Sequence, residues 1–217
     1  MNIQNNKKIL SQMDIVSEIK NAERERRPIN LSDSIITDLS MITDKVKEGL
    51  NLENTEIKGS IFLGEVIILG ELNLRGAIVN GSLYLGNCEI DDDLILENAL
   101  VKGAINLVGA KIKGSVNAKK LTTMGFLSLS KTEIGGDVIL EDANIKSAQY
   151  EDLSVRGDLF LGTATIRGAL NLGKMTSEGL IDMEDVNIGS NLVLTGAKSG
   201  KGEIDTTTMK LEGKKIV

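Results

Sequence analysis

Few side chains in this chain of 217 residues are of types that carry out chemistry. Histidine is absent, which removes the commonest general base and metal ligand. The single cysteine, Cys88, excludes an intramolecular disulfide and any metal site built from several cysteines. Cys88 stands in a sequence column that is otherwise filled by small and medium-sized residues, so we expect a buried structural thiol and not a nucleophile.

The acidic and glycine-rich stretches also lack the spacing of known sites. The densest acidic cluster runs from Glu89 to Asp93, but it has neither the glycine nor the terminal glutamate of a calcium-binding loop, so we interpret it as a solvated turn. No glycine stands at the phosphate-loop spacing before a Lys-Ser or Lys-Thr pair. We therefore predict no catalytic residues, no cofactor and no metal, and a protein that is not an enzyme.

Composition and charge narrow the choice of partners. The net charge of −6 gives no reason to expect binding to nucleic acid or to an anionic membrane surface. No apolar run reaches the roughly 18 residues that span a bilayer. The first residues lack the uninterrupted apolar segment of a signal peptide, so we expect a cytoplasmic location. Neither a membrane nor a nucleic acid is an expected partner.

An eleven-residue repeat organises most of the chain. Written in blocks of eleven from Gly59, the third position is aliphatic in all twelve full-length blocks, and the fifth is almost always leucine. The eighth position is mostly small or medium-sized, and the tenth is mostly β-branched. A ten-residue block from Ser147 to Arg156 interrupts the register, which resumes at Gly157. This constancy leaves no inserted loop to carry the carboxylate pairs that sugar-cleaving β-helices use.

Each block contains two short apolar–polar–apolar units, which predict strands. Side chains that alternate with period two point to opposite faces of a strand, whereas a helical stripe of period 3.6 does not fit these spacings. Strands of three residues, separated by two or three polar or glycine residues, predict the flat faces of a coiled solenoid. The recurrent glycine at the first position fits a corner that needs either positive φ or a close backbone approach.

The repeat leaves the number of blocks per coil open. Two blocks would make a coil with four faces, and successive coils would pair as parallel strands about 4.8 Å apart. Sixteen blocks, including the short ones at Asp38 and Ser147, would then give eight coils. A coil of three blocks remains possible. Either arrangement fills a narrow core with aliphatic side chains, which agrees with an aromatic content of 2%.

Several segments resemble the motif of the pentapeptide-repeat proteins, in which a small residue precedes a polar residue, a leucine or phenylalanine and two further polar residues. Examples are the segments that begin at Ala99, Ala110, Ala143 and Ala164. The resemblance extends from near Arg27 to Gly200, although five- and six-residue units alternate here. It implies a right-handed quadrilateral parallel β-helix. Together with the block count and the N-terminal segment described below, we predict an all-β fold, a β-solenoid of about eight coils with an N-terminal α-helical cap.

The ends of a solenoid expose core and unpaired backbone and need caps. Within residues 1–26, apolar residues at helical spacing predict an amphipathic helix that caps the solenoid of residues 27–200; they are Leu10, Met13, Val16, Ile19 and Ala22. Alternatively, this helix binds a partner and only rests on the end. Residues 201–217 are interpreted as a degenerate last half-coil and a tail, through which a homodimer could form.

Outward positions suggest where a partner would bind. With two blocks per coil, Phe62 and Tyr84 become stacked neighbours on one face, and Ile139 and Phe160 become stacked neighbours on the opposite one. Exposed apolar ladders and aromatic residues favour interfaces, so these four residues are our predicted protein contacts. The alternative is that they only stabilise neighbouring coils by cross-strand stacking.

Three functional classes follow from this pattern. The leading hypothesis is a non-enzymatic scaffold or protein-interaction module that binds a protein partner along the rod. The first alternative is a self-assembling structural protein similar to the bactofilins. The pentapeptide-repeat resemblance implies a further alternative, a DNA mimic that interacts with topoisomerases. From Gly59 onward 21 acidic and 16 basic residues occur, far less net negative charge than a duplex carries.

Overall fold

The chain forms a parallel β-solenoid with one N-terminal helix, in a computed structural model that describes residues 7–40, 42–150 and 153–217. Its strands are two or three residues long, and within the stack each pairs in parallel with strands in the neighbouring coils. Four sheets result, here called faces 1 to 4 in the order in which the chain visits them within a regular coil. Short strands with period-two side chains and tight corners account for this shape.

The strands of the four faces are as follows. Face 1 contains Lys8–Leu10, Ser34–Ile36, Glu56–Ile57, Ile78–Val79, Leu100–Val101, Thr122–Met124, Asn144–Lys146, Thr176–Ser177 and Lys198–Ser199. Face 2 contains Ile61–Phe62, Leu83–Tyr84, Ile105–Asn106, Leu127–Ser128, Leu159–Phe160 and Ile181–Asp182. Face 3 contains Lys45–Val46, Ile67–Ile68, Glu89–Ile90, Lys111–Ile112, Glu133–Ile134, Thr165–Ile166, Asn187–Ile188 and Lys210–Leu211. Face 4 contains Ile29–Asn30, Leu50–Asn51, Leu72–Asn73, Leu94–Ile95, Val116–Asn117, Val138–Ile139, Leu170–Asn171, Leu192–Val193 and Lys215–Ile216.

Each regular coil consists of two blocks of the repeat. Val79 pairs with Ile57 on one side and with Val101 on the other, and each partner lies two blocks away along the chain. This register excludes a coil of three blocks. Faces 1 and 4 have nine strands each, so the solenoid has about nine turns instead of the predicted eight. The difference arises at the two ends, where Lys8–Leu10 and Lys215–Ile216 add rungs.

The ten-residue block is an insertion and not a pair of faces. Ala148–Tyr150 and Leu153–Val155 pair with each other as an antiparallel hairpin, outside the four faces. Because of this hairpin, the step from Leu127 to its partner Leu159 is longer along the chain than the regular step from Ile105 to Leu127. The excess equals the length of the inserted block. The prediction that this block forms part of a coil, and that no inserted loop exists, is therefore wrong.

The core consists of the four inward columns of the repeat. The third, fifth, eighth and tenth positions are buried from coil to coil, and Cys88 lies among them. Most of the few buried hydroxyls donate to backbone carbonyls: Thr132 Oγ1 donates to Leu129 O at 2.6 Å, and Thr123 Oγ1 donates to Gly103 O at 2.7 Å. Among the described residues, no buried side-chain nitrogen or oxygen lacks a partner, so hydrogen bonds offset the cost of desolvating these groups.

The corners use two different backbone devices. Positive φ occurs at the seventh position of all twelve full-length blocks: nine of these residues are not glycine, and Gly76, Gly109 and Gly196 are the other three. At most first positions, glycine instead allows the preceding coil to approach the backbone closely. A Cβ added to Gly81 would lie 2.3 Å from Ser60 Oγ and 2.7 Å from Ser60 N, both in the preceding coil.

The helix Gln12–Glu25 covers the N-terminal end. Ser11 and Asp14 form a capping box: Asp14 N donates to Ser11 Oγ at 3.2 Å, and Ser11 N donates to Asp14 Oδ2 at 2.9 Å. The Glu18 carboxylate accepts hydrogen bonds from the Arg27 guanidinium and, at 2.9 Å, from Asn30 N, which fastens the helix to the first strand of face 4. This helix is shorter than the predicted segment because Lys8–Leu10 begins face 1.

Candidate protein-interaction face

All four aromatic side chains that the structure describes lie on face 2. Phe62, Tyr84 and Phe160 occupy outward positions of its strands, and Phe126 immediately precedes the strand Leu127–Ser128. The side chain of the remaining aromatic residue, Tyr150, lies outside the described part. The buried core among the described residues contains no aromatic side chain. Aromatic residues are therefore concentrated on one surface of the rod.

Phe62 and Tyr84 stack on each other as predicted. The two residues are register partners in adjacent strands, and their ring centroids lie 4.9 Å apart with an interplanar angle of 7°. Such a pair contributes about 0.5–1.5 kcal/mol beyond burial of area. Phe62 nevertheless remains 66% exposed and Tyr84 37% exposed. The stack stabilises two coils and still presents apolar surface to solvent.

The predicted stack of Ile139 and Phe160 does not form. Ile139 lies on face 4, where its register partners are Asn117 and Asn171. Phe160 lies on face 2 and contacts Phe126 edge to face, with centroids 6.3 Å apart at 63°. The prediction was wrong because it counted the hairpin as a block, which moves every later residue to the wrong face. Phe160 thus joins Phe62 and Tyr84 on the same surface, and Ile139 does not.

Face 2 carries no charged side chain over four coils. The stretches 60–64, 82–86, 104–108 and 126–130 consist of apolar, glycine, serine, tyrosine and asparagine residues only. Charge appears only in the last two coils of the face, at Asp158, Asp182 and Glu184. The aromatic side chains therefore lie on an uncharged strip with an acidic C-terminal end.

Faces 3 and 4 have a different surface chemistry, because ion pairs join adjacent coils there. On face 3, Lys113 Nζ lies 2.8 Å from Asp91 Oδ1 and Lys111 Nζ lies 3.7 Å from Glu89 Oε1. On face 4, Lys119 Nζ lies 2.9 Å from Glu141 Oε2. Exposed pairs of this kind contribute between 0 and about 1 kcal/mol each. These pairs place positive and negative charges side by side on both faces.

Face 4 also carries a column of asparagines with a structural role. Their side-chain Oδ1 atoms accept hydrogen bonds from the backbone N–H two residues further on, at 2.9 Å for Asn73 and 3.2 Å for Asn117. The same bond occurs once on face 2, from Val108 N to Asn106 Oδ1 at 2.9 Å. These local bonds hold the bend after each strand. The asparagines are therefore explained without a ligand.

An open groove continues face 2 onto the capping helix. Ser40 precedes Phe62 by one coil length, and with Met13, Val16 and Lys20 it lines a groove of about 590 Å³. Met13 is 84% exposed, although it was predicted to belong to the inward stripe of the helix. The buried residues of the helix are Ile15 and Ala22. The inward face of the helix is therefore rotated about the helix axis relative to the predicted stripe. Sequence spacing alone did not separate these two stripes.

Cys88 and the acidic cluster from Glu89 to Asp93 take part in packing and in contacts between coils. Cys88 is fully buried as predicted, and burial raises the pKa of its thiol to about 12, so it is protonated at neutral pH. In the acidic cluster, Asp91 pairs with Lys113, and Asp93 Oδ1 accepts a hydrogen bond from Ser115 N at 2.6 Å. Among the described residues, no three acidic or cysteine side chains converge to hold a metal ion.

Comparison of the chain with protein-family models, with curated proteins and with solved structures finds no match. Within the described part, the single helix is too short and too polar to cross a bilayer.

Proposed function

We propose that this protein is a non-enzymatic scaffold that binds a protein partner along face 2 of its solenoid. The observation that carries the proposal is the coincidence of aromatic side chains and absent charge on this one surface. Interface cores are enriched in tyrosine and phenylalanine and depleted in charged residues, and large exposed apolar patches mark contact sites. Face 2 has both properties, whereas faces 3 and 4 have no aromatic side chain among the described residues and carry ion pairs between adjacent coils.

The surface charge argues against a DNA mimic. Glu89 and Lys111, and likewise Asp91 and Lys113, place opposite charges in adjacent coils of face 3. A duplex presents phosphates of one sign at every step. The resemblance to the pentapeptide-repeat proteins therefore supports the shape of the rod more than the topoisomerase partner.

End-to-end assembly is opposed by the capping helix. Ile15 and Ala22 are buried against the first coil, and the bonds of Glu18 to Arg27 and Asn30 hold the helix there. A second rod that stacked on this end would have to displace the helix. A side-on contact through face 2 requires no such displacement.

Affinity capture from an extract of the native host tests the proposal. Three immobilised proteins are compared: the wild type, Phe62→Ser with Tyr84→Ser, and the matched control Ile95→Ser with Ile139→Ser, which changes outward residues on face 4. We expect mass spectrometry to find a protein that the wild type and the control retain and the face 2 variant loses. Identical profiles for all three would contradict the proposal.

A further inference from the structure

We propose that the occupant of face 2 is a second copy of this chain, bound face to face with its rod antiparallel. This inference rests on the proposed function, since it names the partner for the same surface. The arrangement of side chains along face 2 and the distribution of charge support it, and the size of the face limits how stable such a dimer can be.

The outward side chains of face 2 are complementary to themselves when one copy is reversed. In coil order they are Phe62, Tyr84, Asn106, Ser128, Phe160 and Asp182. A two-fold axis that lies in the interface, runs along the strands and passes Asn106 places Phe62 of each copy opposite Phe160 of the other. Tyr84 then lies opposite Ser128. Each of these contacts occurs twice, related by the axis, as an isologous interface requires, with Phe62 and Phe160 together at both ends and Asn106 at the centre.

Charge favours the antiparallel orientation over the parallel one. With parallel rods, Asp158, Asp182 and Glu184 would each lie close to their own copies, which is unfavourable. With antiparallel rods, the acidic ends lie apart. Asp182 and Glu184 then approach the groove of the other copy, which Lys20 lines and where Asp38 accepts hydrogen bonds from Gln12 and Ser40. Because each chain carries a net charge of −6, a largely uncharged face is also the surface on which two copies repel least.

The area of the face indicates a weak dimer. Six strands about 4.8 Å apart, each exposing residues over about 13 Å, give roughly 300 Å² per copy, to which the helix groove adds. Stable complexes bury about 800 Å² per partner. We therefore expect a reversible dimer with a Kd in the micromolar range, of about 10–100 μM.

Sedimentation equilibrium over a concentration series measures the dimer. We expect Phe62→Ser with Tyr84→Ser to raise the dimer Kd at least tenfold, because it removes two aromatic side chains from each copy's side of the contact. The control Ile95→Ser with Ile139→Ser should leave it within about twofold. Circular dichroism verifies that both variants keep the fold. A wild-type protein that stays monomeric up to about 1 mM, or a dimer that the face 2 variant leaves unchanged, would overturn the inference.

Cysteine crosslinking tests the contact face independently. In a Cys88→Ala background, Asn106→Cys places one thiol next to the two-fold axis, and we expect it to form a disulfide-linked dimer on mild oxidation. The matched control is Asn117→Cys on face 4, since Asn117 makes the same local hydrogen bond. If Asn106→Cys forms no more disulfide-linked dimer than the control, the second-copy inference is overturned. The capture of a different protein by face 2 would still support the proposed function in that case.

Discussion

At the scale of single residues, the coil depends on two positions whose roles are different. The seventh position of each block adopts positive φ and turns the chain, even where the residue is lysine, glutamate or threonine. The first position is mostly glycine, and at Gly81, as at most of these glycines, an atom of the preceding coil occupies the space of a Cβ. Glycine therefore occurs mostly where adjacent coils approach closely, whereas residues other than glycine adopt positive φ where the chain bends.

The strain at the seventh position predicts a stabilising substitution. Thr163 is β-branched, exposed and at φ 58°, a conformation that costs a residue other than glycine roughly 1–2 kcal/mol. We expect Thr163→Gly to raise the free energy of unfolding by about 1 kcal/mol, as measured by urea denaturation. The control Thr165→Gly, in a strand of face 3, should lower it. A loss of stability in Thr163→Gly would contradict this account of the corner.

The contact between coils at the first position predicts a destabilising substitution. We expect Gly81→Ala to cost about 1–3 kcal/mol, because the added Cβ would overlap Ser60 of the preceding coil. Gly59 is the matched control, since a Cβ there meets no atom within 4 Å. Thermal denaturation should therefore show a lowered Tm for Gly81→Ala and little change for Gly59→Ala. Equal effects of both would argue against close packing at this corner.

At the scale of elements, the sequence predicts the strands well and the interruptions poorly. The third and fifth columns alternate with period two in every coil, so the strands at Leu72 and Leu94 follow directly from the pattern. The hairpin does not, because a ten-residue segment that contains Leu153 and Val155 resembles a block with one residue missing. The stripe of the helix was also misplaced, since Met13 and Ile15 are two residues apart and both apolar. In each case tertiary packing decides between patterns that the sequence leaves nearly equal.

The hairpin is expected to be dispensable for the fold. Deletion of residues 147–156 joins Lys146 to Gly157 and restores the regular two-block spacing, as in the step from Met124 to Gly125. We expect the shortened protein to keep its β-sheet circular dichroism and to unfold cooperatively. A matched deletion of residues 114–123, which removes a segment of the same length from regular coils, shifts every later side chain and should abolish folding. Loss of folding in the first deletion would show that the hairpin is part of the stack.

At the scale of the whole molecule, stability is distributed along a stack in which each coil contacts only its neighbours. The sequence period could not decide between coils of two and of three blocks, because both contain whole blocks. Only the pairing of Val79 with Ile57 and Val101 decides it. The aromatic character of face 2 could be predicted only in part from the sequence. Phe62 and Tyr84 align directly in the two-block register, whereas Phe160 joins them only when the hairpin is excluded.

Nearest-neighbour stacking predicts that equal core deletions act differently in the middle and at the end of the rod. Leu94 and Leu192 are both fully buried on face 4, and Leu→Ala costs about 2–5 kcal/mol at such sites. We expect Leu94→Ala to lower amide protection throughout the central coils, and Leu192→Ala to lower it mainly near the C-terminal end. Hydrogen exchange read by mass spectrometry separates the two patterns. Uniform loss of protection in both variants would indicate a single cooperative unit instead.

The hairpin leaves and re-enters the stack between Lys146 on face 1 and Leu159 on face 2, and the coils on either side remain in register. Equivalent corners recur in the regular coils at a spacing of about 4.8 Å. Foreign peptides grafted at several of these corners would project side by side from a straight edge, bordering the aromatic strip. Insertions at these corners therefore change the exposed surface of the rod without changing its core.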